Sequence, residues 1–473
     1  MNPKEFKEEG YKIVDWIAEY MENIEDYPVK SKSGPGEIYD SLPPMPPFGP
    51  ASMDEIMKDF QDIILPGITH WQSPNFFAYF PANNSGPSVL AEMLTAAMGA
   101  QCMIWETSPA AAELEERVLN WLIDTMGLPP AFEGVIQDTA SGATLAAIIT
   151  ARERITGFSI NRKGHSERGR LRVYCSRQTH SSVDKAVKIA GIGIENLVKV
   201  DVDDKYAMNP NALREAVRSD IQQGFTPCCV IASLGTTGTT AIDPLDELGK
   251  ICDEFKLWLH VDAALAGTAL ILPEYGWMIK GKEYIDSFVF NPHKWMFTNF
   301  DCSVYFVKDA DLLIKTFEIL PEYLKTRTRG EVNDYRDWGI ALGRRFRALK
   351  LWFVIRYYGL EKLMDKVRGH ISFASSLAEM IEKHNDFQLM APAPLNTVSF
   401  RFDPGGLDED QLNSINEELN HKLNDSGKIY LTHTSLDGKY TLRMVTSQTN
   451  VTLKHIHRAW KLIQDYATEI AQR

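Results

Sequence analysis

The chain has 473 residues, 44% hydrophobic and 24% charged, and its 50 basic against 63 acidic side chains give a formal net charge of −13. These proportions exclude a disordered, collagen-like or coiled-coil chain, and at roughly 150 residues per domain they correspond to about three domains. The acidic balance argues against a broad nucleic-acid partner or an anionic membrane surface, both of which select basic faces.

Phe6, Ile13, Ile17, Met21 and Ile24 fall near helical spacing, so the chain is predicted to open on an amphipathic helix. From Ser33 to Pro50 six prolines forbid helix interior and central strand, which reads as an extended arm. An apolar helix followed by such an arm packs on something else: a second subunit by first preference, its own domain otherwise. The first ten residues are polar and acidic with no apolar leader, and no stretch approaches the ~20 apolar residues of a membrane span. The expectation is a soluble, cytoplasmic protein with no membrane partner. The six cysteines form no C-x-x-C pair and lie largely in apolar runs, so buried thiols rather than disulfides or metal ligands are expected.

Leu114, Val118, Trp121, Leu122 and Met126 mark a helix that Gly127 and Pro129 end. Short apolar runs follow at Leu171–Cys175, Val230–Leu234, Leu257–Asp262 and Ser287–Phe290, between helical patterns. That alternation predicts an α/β domain with a parallel sheet covered on both faces. The last hundred residues change character. Thr397–Phe402 alternates, Asp437-Gly438 joins two further alternating runs as a hairpin, and a closing helix carries Ile456, Trp460, Ile463, Ala467 and Ile470 on one face. The division expected is an N-terminal arm over 1–85, a large domain over 86–352 and a small α+β domain over 353–473.

The strongest chemical signal is Asn291-Pro-His-Lys294-Trp295, a lysine just past a buried strand. A buried lysine loses its charge readily, and the neutral amine forms a Schiff base with an aldehyde. Some thirty residues earlier, His260-Val-Asp262-Ala-Ala264 ends an apolar strand on a carboxylate, which by itself is as readily a cap or loop acid. Together the two match what pyridoxal phosphate needs: an acid to keep the ring nitrogen protonated and an amine to hold the aldehyde. Asp138-Thr139-Ala140-Ser141-Gly142 opens an apolar helix, where small residues and hydroxyls let an anion approach the positive helix end. Gln178-Thr-His180 follows a strand, where an imidazole can lie flat on a pyridine ring, and the hydroxyls of Leu234-Gly-Thr236-Thr237-Gly238 are within reach of the same ligand. Gly191-Ile-Gly193 lacks the third glycine of a dinucleotide fingerprint, and there is no P-loop.

These segments, with Trp71-Gln-Ser-Pro-Asn-Phe-Phe-Ala-Tyr79-Phe80 and Gly343-Arg-Arg-Phe-Arg347, resemble the group II pyridoxal-phosphate decarboxylases nearly end to end, and among them the aromatic-L-amino-acid decarboxylases. The resemblance implies fold type I, similar to aspartate aminotransferase, and an obligate homodimer with shared active sites, onto whose partner chain the N-terminal helix packs. It implies that Lys294 holds the cofactor, Asp262 its ring nitrogen, and that His180 and Ala264 pack on the ring. Thr139, Ala140, Ser141 and Asn291 are then phosphate-site residues, His293 lies beside them, and Thr237 lies near the cofactor and the substrate carboxylate. No metal is implied.

The same resemblance implies that Trp71, Tyr79, Phe80, Pro81 and Ala82, with Met103 of the other subunit, line a pocket for an aromatic side chain, and the aromatic cluster itself suits a flat ring. Ala82 stands where relatives often have threonine, and Met103 where many have phenylalanine. Gly343 leaves room for indole or catechol rings, where relatives with serine favour smaller ones; tryptophan, 5-hydroxytryptophan and dihydroxyphenylalanine are therefore expected ahead of tyrosine and phenylalanine. Tyr323, in Pro321-Glu-Tyr323-Leu-Lys325, resembles the tyrosine that returns a proton to the substrate. Relatives with phenylalanine there are oxygen-consuming aldehyde synthases, the alternative reaction on this scaffold.

Overall fold

Strands buried on both faces read as unbroken apolar runs, and the chain forms them where those runs occur. The computed structural model describes residues 1–164, 170–319 and 331–472. Its contacts divide the chain into two units, one of residues 82–375 and 391–398, the other of residues 1–81, 376–390 and 399–473.

The larger unit is built on seven strands: β1 (Glu133–Gln137), β2 (Leu171–Ser176), β3 (Leu197–Val200), β4 (Thr226–Ser233), β5 (Trp258–Asp262), β6 (Ser287–Phe290) and β7 (Ser303–Val307). Their order is β1-β7-β6-β5-β4-β2-β3. All pairings from β3 to β6 are parallel, and β7 runs antiparallel to both β6 and β1. Register places Ser233 opposite Asp262 and Asp262 opposite Val289, so β4, β5 and β6 finish side by side. The helix Ala140–Thr156 covers one face with Ala143, Ala146, Ala147 and Ala151, small side chains that let helix and sheet approach closely. The helix Pro109–Met126 stops at Gly127, whose φ of +64° is the left-handed geometry that a helix end favours in glycine.

The smaller unit contains β8 (Phe387–Leu389), β9 (Thr397–Phe402, whose first two residues group with the larger unit), β10 (Thr432–Leu436) and β11 (Lys439–Val445), in the order β10-β11-β9-β8. Asp437 and Gly438 turn the β10–β11 hairpin with φ of +50° and +81°, the left-handed pair of a tight hairpin. The closing helix Leu453–Ala471 buries Ile456, Trp460, Ile463, Ala467 and Ile470, the face expected from their spacing. The helix Pro3–Glu22 is fixed by an Asn2–Glu5 capping box yet buries none of its residues, leaving Phe6 65% and Tyr11 61% exposed.

Two details differ from expectation. A short helix, Glu37–Ser41, forms within the segment read as an extended arm, because Pro35 precedes its start and the remaining prolines follow its end. The helix Arg347–Glu382 continues across residue 353, where a division was expected, with one break in helical geometry at Gly359; the contact boundary lies at 375/376. All six cysteines are buried and free. Among the described residues no helix is long and apolar enough to cross a membrane.

Candidate active site

The chemistry-bearing residues of the larger unit collect where the parallel strands end. His180 follows β2, Thr237 follows β4, Asp262 is the last residue of β5, and Asn291, His293 and Lys294 follow β6. Main-chain bonds lock these ends together: Leu234 N–H donates to Asp262 O (2.9 Å), Ala263 N–H to Val289 O (2.9 Å), and Asn291 N–H to Ala264 O (3.0 Å).

Asp262 is buried, and among the described residues its carboxylate accepts one hydrogen bond, from Ala264 N–H at 3.0 Å. It therefore keeps acceptor capacity for a cationic N–H, which offsets the cost of burying the charge. His180 is exposed, and its Nδ1 accepts Ser182 N–H at 3.1 Å. Burial lowers its pKa, with the charge of Asp262 opposing that shift and the charge of Lys294 adding to it. With Nδ1 an acceptor, the neutral ring carries its proton on Nε2.

Lys294 sits half-buried in a four-residue helix, Pro292–Trp295, whose surroundings fix each neighbour. Ser303 Oγ–H donates to Asn291 Oδ1 at 2.6 Å, and Cys302 N–H donates to His293 Nδ1 at 3.0 Å. His293 is pushed down to about 3, by burial first and by Lys294 second, so it is neutral with its proton on Nε2. Asn83 closes the turn: its main-chain N–H donates to His293 O at 2.9 Å, and its side-chain amide donates to Lys294 O.

Thr139 caps the helix Ala140–Thr156 through Gly142 N–H (3.2 Å), leaving Ala140 half-exposed and Ser141 exposed at a helix end whose first N–H groups have no intrahelical partner. Across the strand ends, Thr236 Oγ1 receives Ala241 N–H at 3.1 Å and shapes the loop that carries half-buried Thr237. Asp243 braces the same loop by accepting Ser233 N–H and Met208 N–H, each at 2.7 Å, and burial pushes its carboxyl up to about 7. The donor set is the one pyridoxal phosphate calls for: a carboxylate for the ring N–H, an amine for the aldehyde carbon, a flat neutral imidazole, and a hydroxyl-rich helix end for the phosphate.

The other candidates are placed as follows. Trp71, Tyr79, Phe80 and Pro81 belong to the smaller unit, where Trp71 stacks on Phe76 and Tyr79 with centroids 4.5 and 5.7 Å apart, and the Arg443 guanidinium lies 5.2 Å from the Phe80 ring. Tyr79 has a left-handed backbone (φ +51°) and is steadied by Thr432 Oγ1, which accepts its N–H at 3.3 Å. Ala82 opens the larger unit. Met103 O accepts Arg336 N–H at 2.9 Å, and exposed Gly343 lies beside Gln101. Gly343 does share a cavity of about 300 Å³ with Asp138, Gly142 and Arg347, at the first turn of the capped helix. Tyr323 lies outside the described residues. Asn83, Ser303 and Cys302 were missed by sequence reasoning. Asn83 stands more than 200 residues from its partners, and short-range patterning holds no signal for it.

A family described as the pyridoxal-dependent decarboxylase conserved domain matches residues 35–403. The chain is similar to a phenylacetaldehyde synthase of Arabidopsis thaliana, 43% identical over 100% of this chain and 98% of that protein. It is also similar to tryptophan decarboxylase 2 of Oryza sativa subsp. japonica, 42% identical over 99% and 96%. The crystal structure of Catharanthus roseus tryptophan decarboxylase in complex with L-tryptophan has a TM-score of 0.93 to this chain, at 38% identity and with 99% of each chain covered.

Proposed function

The chain belongs to the pyridoxal-dependent decarboxylases, and on that premise we propose that it converts aromatic L-amino acids to CO2 and the corresponding arylalkylamines. It is a PLP-dependent enzyme of fold type I, with a mostly parallel seven-stranded sheet and a second, smaller sheet. The observation that carries the reading is the alignment of Asp262, His180 and the Lys294 turn at one end of the parallel strands.

Bound PLP supplies a protonated ring that accepts the electron pair left at Cα when the carboxylate departs. Lys294 would hold the cofactor through its amine. Asp262 keeps the proton on the ring nitrogen, and the buried surroundings strengthen that pairing. A neutral His180 would pack on the ring without adding a repelling charge, with Ala264 beside it. Thr139, Ala140, Ser141 and Asn291 hold the phosphate, with His293 Nε2–H a further donor at its side. Thr237 lies by the substrate carboxylate. Tyr323 delivers the proton to Cα, as the match of Pro321–Lys325 supports.

The aromatic faces of Trp71, Tyr79 and Phe80 suit a flat side chain, and Gly343 favours tryptophan, 5-hydroxytryptophan and dihydroxyphenylalanine. The exposed helix Pro3–Glu22 supports a homodimer in which the 1–85 arm covers the partner. The second reading, an oxygen-dependent aldehyde synthase, is favoured by the Arabidopsis relative's activity; Tyr323 in place of phenylalanine favours the amine. The test is a panel of aromatic amino acids scored for CO2, amine, aldehyde and hydrogen peroxide together. One amine per CO2 without peroxide is expected, and aldehyde and peroxide matching CO2 would overturn it.

A further inference from the structure

A chain of fully buried polar side chains runs beneath the strand ends, one layer behind the candidate site. His260 lies two residues before Asp262 on β5, so both side chains leave the same face of the strand. Its Nε2 is 3.2 Å from Thr144 Oγ1, and its Nδ1 is 2.9 Å from Ser287 Oγ. Ser287 Oγ also accepts Trp258 Nε1–H at 2.8 Å. Thr144, His260 and Ser287 have no exposed surface.

Each member sits on an element that carries part of the cofactor site. Thr144 is one helical turn beyond Ala140, on the helix capped by Thr139. His260 is on the strand that ends in Asp262. Ser287 starts β6, which leads into Asn291 and Lys294, and it is the register partner of His260. We propose that His260 is a positioning residue for PLP, its two ring nitrogens fixing the phosphate-bearing helix and the lysine-bearing strand to the strand that presents Asp262.

Burial brings the imidazole down to about 4, with Asp262 opposing, so the ring is neutral and holds one proton. Whichever nitrogen carries that proton, one hydroxyl must donate and the other accept, so the two ends are linked through the tautomer. An apolar side chain would fill the space but would hold the helix and strand only by packing, without this directional linkage. The proposal rests on the reading of Asp262, Lys294 and the 139–141 turn as the cofactor site.

The test uses the full-length protein stripped of cofactor and titrated with PLP. Thr144→Val, which keeps shape and removes the hydroxyl, is expected to weaken PLP binding about tenfold, the scale of one lost buried hydrogen bond. The visible circular dichroism per bound cofactor should fall with it. Thr144→Ser should recover affinity to within about twofold, and the Thr144→Val/Ser287→Ala double variant should bind less than twofold worse than the weaker single, since the two ends act as one bridge. A Thr144→Val protein with lowered Tm but unchanged PLP affinity and dichroism would overturn the proposal, as would multiplicative losses in the double variant. Failure of the site reading is separate: wild type would show no visible band with PLP, or Lys294→Ala would leave that band unchanged.

Discussion

Asn83 gives the sharpest test of how the lysine turn is held. It is buried, and it meets the turn twice, through its main-chain N–H to His293 O and its side-chain amide to Lys294 O. Ser85 Oγ–H adds a third tie, to Phe297 O at 2.7 Å. Asn83→Ala removes the side-chain amide that donates to the Lys294 carbonyl, a loss of about 1–3 kcal/mol. If about 1–2 kcal/mol of that falls on the cofactor-bound form, the PLP dissociation constant rises roughly 5- to 30-fold. Asn83→Asp is worse above the carboxyl's pKa, because an anionic oxygen then faces a carbonyl oxygen. Burial raises that pKa, and the protonated acid regains a donor, so the gap between the Asp and Ala variants narrows as pH falls. The assay is spectroscopic PLP titration of both variants at pH 8 and pH 5.5, compared as a ratio so that shared pH effects cancel. An Ala variant within twofold of wild type in affinity and unchanged in Tm, or an Asp variant no weaker than Ala at pH 8, would refute the assignment.

Three further outcomes follow from the same structure. His260, His293 and His370 are brought by burial to about 4, 3 and 3, below the unfolded value of 6.5. The folded state therefore binds fewer protons, and this part of the stability is complete above about pH 6.5 and drains away as pH falls toward 3. His370→Phe should lower Tm at pH 7.5 by stranding Trp295 Nε1–H, which donates to His370 Nδ1 at 3.0 Å, yet flatten the acid fall in a Tm-versus-pH series. Gly235 has φ +83° and an added Cβ would meet Ala266 Cβ at 2.8 Å, so Gly235→Ala combines strain with overpacking, about 2–5 kcal/mol, read by chemical denaturation. A Cβ added at Gly343 would meet only Gln101 Nε2, at 3.4 Å, so Gly343→Ser should leave Tm nearly unchanged while lowering the kcat/KM ratio of tryptophan to tyrosine by about tenfold.

Much of the architecture was legible locally. Val173–Cys175 and Phe288–Phe290 are apolar without alternation because both faces of their strands are covered, and Asp437-Gly438 announces its hairpin because few residue pairs tolerate two left-handed conformations. Lys294, Asp262, His180 and the Thr139 cap stood out because polar groups at the ends of apolar strands and helices are conspicuous in one dimension. The helix Glu37–Ser41 and the continuity of Arg347–Glu382 were less legible, since proline and glycine mark where helices are strained without stating where they begin.

The sequence by itself determined the α/β class, because periodicity reports burial directly, and its lysine and aspartate motifs pointed to the cofactor. Tertiary structure alone decided which side chains stand behind those residues. Asn83 against Lys294, Ser303 against Asn291, and Thr144 and Ser287 on His260 are bonds between residues far apart in the chain, and their geometry exists only once the strands have taken their order. A hydroxyl or amide looks alike in sequence whether it faces water or completes a buried bond. Only the neighbour that arrives from elsewhere in the fold distinguishes the two.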